Sequence, residues 1–239
     1  MKLVINNKFN NIFKDLQMPP KPYIIAEIGV NHEGSISRAF KLIDLAKNAG
    51  ADAVKFQTYK ADKLASKNSP YYWDIKKEKT QSQNELFKKY DSFEISDYVK
   101  LSEYCNKKNI EFFTTPFDNE AVHNIDKIVS FYKIASADIT SIPLLKTVAK
   151  KKKPVLLSVG ASNLEEIKLA IKILKEYGSS DIGLLHCVLN YPTKNIHARL
   201  NKIIYLREIF PDLLIGYSDH TLPSKDMKNL IVATLLGAK

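Results

Sequence analysis

The chain has 239 residues, 45% of them hydrophobic and 26% charged, with a formal charge of +10; this allows one large α/β domain or two small ones with a substantial core. The charge is almost wholly lysine, because Arg38, Arg199 and Arg207 are the only arginines. Base readout favours guanidinium forks, so a nucleic-acid partner is not expected and the excess reads as a solvated lysine surface that attracts acidic substrates over distance.

No run approaches transmembrane length, and the asparagines after Met1 break any apolar segment suited to secretion. Cys105 and Cys187 lack metal-ligand spacing and sit in apolar or helical contexts, which fits reduced packing thiols in a cytoplasmic protein.

Residues 1–20 read as a short hairpin or plug: Leu3-Val4-Ile5, an Asn-Asn turn, a second piece around Ile12-Phe13, and a Pro19-Pro20 stop. A buried strand is expected over 23–29, then a helix capped by Ser35, with Ala39, Leu42, Ile43, Ala46 and Ala49 as its apolar face and Gly50 as its end. Strand two follows over 53–57. A polar, aromatic connection then runs from Tyr59 to about Phe93, a length usually functional or disordered inside a compact domain. Tyr71-Tyr72-Trp73 in its middle reads either as a flap or as a knot tying the loop down.

Beyond it come a helix over 95–108, a strand over 110–115, a helix opening at Phe117-Asp118 and a strand around Lys133. Helices around 144–149, 163–177, 198–210 and 224–236 alternate with strands over 154–158, 182–187 and 213–218. Seven strands alternating with helices require right-handed crossovers into a parallel sheet, either a (β/α)8 barrel or an open doubly wound sheet. No Gly-x-Gly-x-x-Gly follows a strand, which counts against a dinucleotide fold.

Two lysines carry the functional reading. Lys133 interrupts the apolar run Val129, Phe131, Tyr132, Ile134, Ala135, and Lys55 interrupts Ala53-Val54-Lys55-Phe56-Gln57. A buried ammonium needs an anion or loses its proton, so two lysines near the ends of two buried strands suggest a shared phosphate or carboxylate ligand; the alternative is a stem lying over apolar surface with a solvated head. Glu27, Lys55, Gln57, Thr115, Lys133, Ser136, Ser158, His186, Ser218 and His220 all fall at or just past C-terminal strand ends. In a barrel these converge on one mouth, whereas an open sheet gathers ligands at one switch point, so the barrel is favoured. The chain reaches Lys239 where an eighth strand is expected to begin, so residues 21–239 read as a (β/α)8 TIM barrel truncated before that strand.

Seven ordered motifs then give a resemblance: Ile25-Ala-Glu-Ile-Gly-Val-Asn-His32, Gly50-Ala-Asp-Ala-Val-Lys-Phe-Gln57, Thr114-Thr-Pro-Phe117, Tyr132-Lys-Ile-Ala-Ser136, Leu157-Ser-Val-Gly160, Leu185-His-Cys187 with Tyr191-Pro-Thr193, and Ile215-Gly-Tyr-Ser-Asp-His-Thr221. In these the chain resembles the N-acetylneuraminate (sialic acid) synthase family, phosphoenolpyruvate-dependent enzymes that condense that metabolite with an N-acetylated sugar. The resemblance implies that Lys55, Thr115, Lys133, Ser136, Ser158 and Ser218 hold the phosphate and carboxylate of phosphoenolpyruvate. It implies Glu27 near the reacting enol carbon, Gln57, Asp138 and Tyr191 facing the acceptor sugar, and His220 as one of two histidines on a divalent metal, manganese first, with magnesium or cobalt as alternatives. It further implies a homodimer in the full-length protein and a place in surface-polysaccharide biosynthesis.

The family's second metal histidine, on the eighth strand, and its C-terminal antifreeze-like domain fall outside the sequence. Leu189 stands where the family often has asparagine, and Asp138 where sialic acid synthases commonly have glutamate. Two alternatives stay open: a 3-deoxy-ulosonate synthase acting on a phosphorylated aldose, and a non-catalytic barrel fragment. Read from the residues alone, Ser136, Ser158 and Ser218 could equally cap the helices or turns that follow, and His32, His123, His186 and His197 read as structural or surface residues, with His186 the candidate exception.

Overall fold

The computed structural model describes residues 21–239; the expected N-terminal hairpin or plug over 1–20 lies outside the described residues. Each of the seven strands expected within residues 21–239 forms: β1 Ile25–Gly29, β2 Ala53–Thr58, β3 Glu111–Pro116, β4 Tyr132–Ile134, β5 Val155–Ser158, β6 Ile182–His186 and β7 Leu214–Tyr217. All ladders are parallel, in the order β1-β2-β3 and β4-β5-β6-β7. β3 and β4 lie side by side without a ladder and are joined instead through side chains, the Phe113 and Phe131 rings meeting at 4.2 Å. The expected parallel α/β architecture is therefore present; among the described residues the strands form two hydrogen-bonded sheets rather than one closed barrel. Lys239 N donates to Ile215 O at 3.0 Å, on the edge of β7 turned away from β6.

The helices form where capping and apolar spacing agree. Ser35 caps α1 (Ile36–Asn48), which buries Ala39, Ile43 and Ala46, and Gly50, at φ +85°, turns the chain into β2. An Asn163–Glu166 capping box opens α7 (Leu164–Tyr177), whose Ile167, Ala170, Ile171, Ile173 and Leu174 pack on the sheet. Between these lie α2 (Ala61–Leu64), α3 (Gln83–Tyr90), α4 (Ile95–Lys108), α5 (Asn119–Ile125) and α6 (Ile142–Ala149); α8 (Asn201–Ile209) and α9 (Lys228–Leu235) complete the chain.

The long connection after β2 differs from expectation, because it contains α2 and α3. The buried Asn84 side chain holds the two together, donating to Ala61 O and Ala65 O at 3.3 and 2.9 Å, while Asp91 accepts from Ala61 N at 2.8 Å. Trp73 Nε1 donates to Glu78 O at 3.0 Å with Tyr72 edge-on to its ring at 5.2 Å, the geometry of a knot within the loop.

β2 is covered on both faces, with Ala53, Val54 and Phe56 fully buried. The same holds for Tyr132, Ile134, Leu157 and Leu184. Polar side chains on such strands are costly unless the strand ends open onto something they serve.

Candidate active site

β1 and β2 run in register with Glu27 opposite Lys55, then slip by one residue at a bulge so that Gly29 faces Phe56. Gly29 takes φ +55°, and its Cα lies under the Glu27 carboxylate: a Cβ there would meet Oε1 at 3.1 Å. The result is a Glu27–Lys55 ion pair of 2.5 Å, and Lys55 Nζ also donates to Thr115 Oγ1 on β3 at 3.2 Å. Lys55 is buried; the Glu27 side chain is 50% exposed. Its carboxylate thus opens to solvent more than a fully buried strand led one to expect, because β1 has a hydrogen-bonded strand neighbour on one side only among the described residues.

Lys133, on β4, is 6% exposed and donates to Ile134 O at 2.9 Å, with no carboxylate partner among the described residues. Burial, and then the charge of Lys55, push its ammonium down to about 7, against smaller opposing effects of Cys187, Glu27 and Asp138. Lys55 and Lys133 therefore share one electrostatic neighbourhood and do not point into water on separate surfaces. Asp138 closes the short 3-10 turn Ser136–Asp138 after β4. Its carboxyl is pushed up to about 6 by burial, against the pull of Lys133, and its Oδ2 is buried without a hydrogen-bond partner among the described residues.

A second cluster forms past β7. His220 Nδ1 donates to Val188 O at 2.6 Å, so Nε2 carries the lone pair and accepts from Tyr191 Oη at 3.2 Å, with Ser218 Oγ at 3.4 Å. The Tyr191 ring packs on the imidazole at 4.1 Å. Burial lowers the His220 pKa, opposed by the Val188 bond, and the charges of Lys133 and Glu27 reach it too, which joins the two clusters. Burial also raises the Tyr191 phenol to about 12, with Cys187, Tyr72 and Glu27 contributing.

Ser136, Ser158 and Thr115 are all at most 5% exposed at the ends of β4, β5 and β3. Gln57 is half-buried at the end of β2, its backbone carbonyl held by Tyr98 Oη at 2.7 Å. His186, the candidate exception among the histidines, is buried, stacks on Tyr217 and bonds Ala198 O at 2.8 Å. His32 stacks on Phe93 at 4.1 Å and ties the turn after β1 to the end of the long connection. Both cysteines are free and buried. Cys187 packs closely on the turn after β5: a Cβ at Gly160 would meet its Sγ at 2.5 Å, so that turn must press bare backbone against the thiol.

For a divalent metal, His220 offers a ring fixed by a backbone carbonyl on Nδ1, as ligand histidines commonly are, while its Nε2 is engaged by Tyr191 Oη. Among the described residues no three His, Cys, Asp or Glu side chains are grouped to complete a site, so the donor set is one ligand of several. No helix among the described residues is long and apolar enough to cross a membrane.

Residues 42–239 match the model of the NeuB family. The chain is 44% identical over 219 residues to an uncharacterized protein of Methanocaldococcus jannaschii, covering 90% of this chain and 59% of that protein. It is 38% identical over 224 residues to the N,N'-diacetyllegionaminic acid synthase of Legionella pneumophila, covering 91% and 62%; the chain thus spans about three fifths of the length of these relatives. Its structure superposes on the N-acetylneuraminic acid synthetase of Leptospira borgpetersenii, solved with citrate, at a TM-score of 0.80 and 36% identity, covering 92% of this chain and 71% of that one.

Proposed function

The chain belongs to the NeuB family, and from that premise we propose that it condenses phosphoenolpyruvate with an N-acetylated sugar aldehyde, giving a sialic-acid-type nonulosonate and phosphate. The acceptor is N-acetylmannosamine or a bacterial diacetamido relative; the likeness to a legionaminic acid synthase favours the latter. The observation that carries the reading is the buried pair Lys55 and Lys133, one held by Glu27 and Thr115, the other without a counter-ion among the described residues. Such a site stays short of one anion until a doubly acidic metabolite enters.

Lys55 and Thr115 on one side, and Lys133, Ser136 and Ser158 on the other, would grip its phosphate and carboxylate, with Ser218 completing the ring. Attack by C3 of phosphoenolpyruvate on the aldehyde leaves positive charge at C2. Glu27, half open to solvent, is suited to orient a water for C2 and take its proton. The tetrahedral adduct then expels phosphate by C–O cleavage, and the lysines stabilise the charge that gathers on the leaving oxygens. Gln57, Asp138 and Tyr191 would face the acceptor. A bound manganese, magnesium or cobalt ion would polarise the aldehyde; the described residues supply His220 alone toward it, and no step above depends on it.

The test is phosphate release from phosphoenolpyruvate with N-acetylmannosamine, a diacetamido hexose or a phosphorylated aldose, each with manganese. Release with either N-acetylated sugar supports the proposal. Release with the phosphorylated aldose alone assigns a 3-deoxy-ulosonate synthase, and absence of release together with absence of phosphoenolpyruvate binding overturns the anion site.

A further inference from the structure

The two lysines of the mouth are not equivalent. Lys55 sits against a carboxylate at 2.5 Å and a hydroxyl at 3.2 Å. Among the described residues Lys133 bonds only its neighbour's carbonyl, Ile134 O, and packs within a fully buried strand. A desolvated amine beside another cation is the recognised way to keep lysine nucleophilic near neutral pH. Asp138, five residues on, has a buried carboxyl oxygen without a partner and feels the charge of Lys133.

From this arrangement we infer that Lys133 is a covalent capture site for small 2-oxo acids, which it binds reversibly as an imine while the anion site is empty. The inference rests on the proposed function in one respect, that the mouth admits small carboxylates, whose charge Lys55 and Thr115 would take.

The lone pair of Nζ adds to the C2 carbonyl carbon, the C=O π pair moves to oxygen, and the now cationic nitrogen passes one of its protons to that oxygen to give a neutral carbinolamine. The Asp138 carboxyl then protonates that hydroxyl, the C–O bond breaks, water leaves, and the nitrogen lone pair closes the C=N bond. The iminium nitrogen returns its remaining proton to Asp138 or keeps it as the counter-charge. Nothing is oxidised or reduced, and water reverses each step. The consequence is regulatory: pyruvate, or the 2-oxo acid product itself, occupies Lys133 and acts as a slow inhibitor competitive with phosphoenolpyruvate.

The groups that face Lys133 are Lys55, Glu27, Asp138 and Cys187, and beyond them His220. With Lys133 near 7 and exposed lysines near 10.4, the neutral fraction at pH 7 differs by roughly a thousandfold, partly offset by the weaker intrinsic nucleophilicity of a less basic amine. Labelling at neutral pH should therefore be site-selective despite the lysine-rich surface.

The experiment is incubation of the full chain with pyruvate and sodium cyanoborohydride, which reduces the imine to a stable secondary amine, followed by peptide mapping. The expected result at pH 7 is one dominant adduct on the peptide carrying Lys133, lost at pH 5.5 and lost in a Lys133→Arg variant that keeps the wild-type circular dichroism. Should that variant not fold, protection of the wild-type peptide by phosphoenolpyruvate replaces it. Adduct spread over exposed lysines with Lys133 unlabelled overturns the inference, and if phosphoenolpyruvate still binds by calorimetry the anion site survives. Adduct on Lys133 without protection by phosphoenolpyruvate overturns the inferred competition for the anion site, and the anion assignment of Lys133 fails with it.

Discussion

Glu27 and Lys55 face each other across the β1–β2 ladder, Oε2 to Nζ 2.5 Å, and that pair leaves Lys133 as the cation of the mouth without a carboxylate among the described residues. If Glu27 serves the water at C2 rather than the anion, Glu27→Gln should separate binding from turnover. Phosphoenolpyruvate affinity by calorimetry should stay within about tenfold, or tighten as Lys55 is freed, while kcat/KM for phosphate release falls by about 10²–10⁴. Equal losses in affinity and turnover would make Glu27 a binding residue.

The depressed ammonium of Lys133, about 7, gives anion binding a defined pH dependence. Above that value the empty site holds a neutral amine, and an entering anion must draw a proton onto it, so binding should take up protons and the dissociation constant should rise by up to tenfold per pH unit. Calorimetry at pH 8 in two buffers of different ionisation enthalpy reads the uptake directly. In Lys133→Arg, whose side chain stays charged, the uptake should vanish. Stability moves the opposite way from binding: the unfolded chain holds the extra proton between about 7 and about 10.4, so this residue's cost to the fold is relieved as pH rises through that window.

Asp138 keeps a buried oxygen unpartnered and a carboxyl near 6, which suits a group waiting for a hydroxyl or amide of the acceptor. Asp138→Ala should raise the KM for the sugar by about one to two orders of magnitude and leave phosphoenolpyruvate binding intact. Its melting temperature at pH 8 should be equal or higher, since an unpaired buried carboxylate is removed. Initial-rate kinetics in each substrate separately, with a thermal melt, check all three.

His32 titrates near 4 because burial disfavours its charged form. The unfolded chain therefore takes up a proton first, and this residue withdraws up to roughly 3 kcal/mol of stability as pH falls from about 6.5 to 4. Asp138 opposes it over much of that range, its raised carboxyl binding a proton more readily in the fold. His32→Phe keeps a ring against Phe93 but leaves Gly34 N, 3.1 Å from Nδ1 in the native protein, without its acceptor. Urea melts should show that variant less stable at pH 7.5 by about 1–2 kcal/mol and less acid-sensitive between 6.5 and 4 than the native chain.

The framework and the mouth were largely legible in the sequence because their signals are local. Ser35, Asn163, Gly50 and Gly178 punctuate helices that form within a few residues of expectation, and strand-end polar residues need no tertiary knowledge to stand out against Val, Ile and Phe. The α2–α3 excursion was missed because what holds it is one long-range side chain, Asn84 reaching Ala61 and Ala65, and its polar composition carries no helical stripe. The inequality of the two lysines was invisible for a similar reason. It depends on the β1–β2 register that hands Glu27 to Lys55, and nothing in the spacing of either motif records which lysine the carboxylate serves.

The sharing of one anion by Lys55 and Lys133 is tested most directly by a double-mutant cycle on phosphoenolpyruvate affinity, with Lys55→Met, Lys133→Met and the pair together. Each single change should weaken binding by roughly 100-fold, and the double should fall short of their product by at least about tenfold, a coupling of about 1.4 kcal/mol. Losses that multiply to within about twofold, or a single variant that binds as the native chain does, would mean that the two cations serve separate ends and that the mouth is not one anion site.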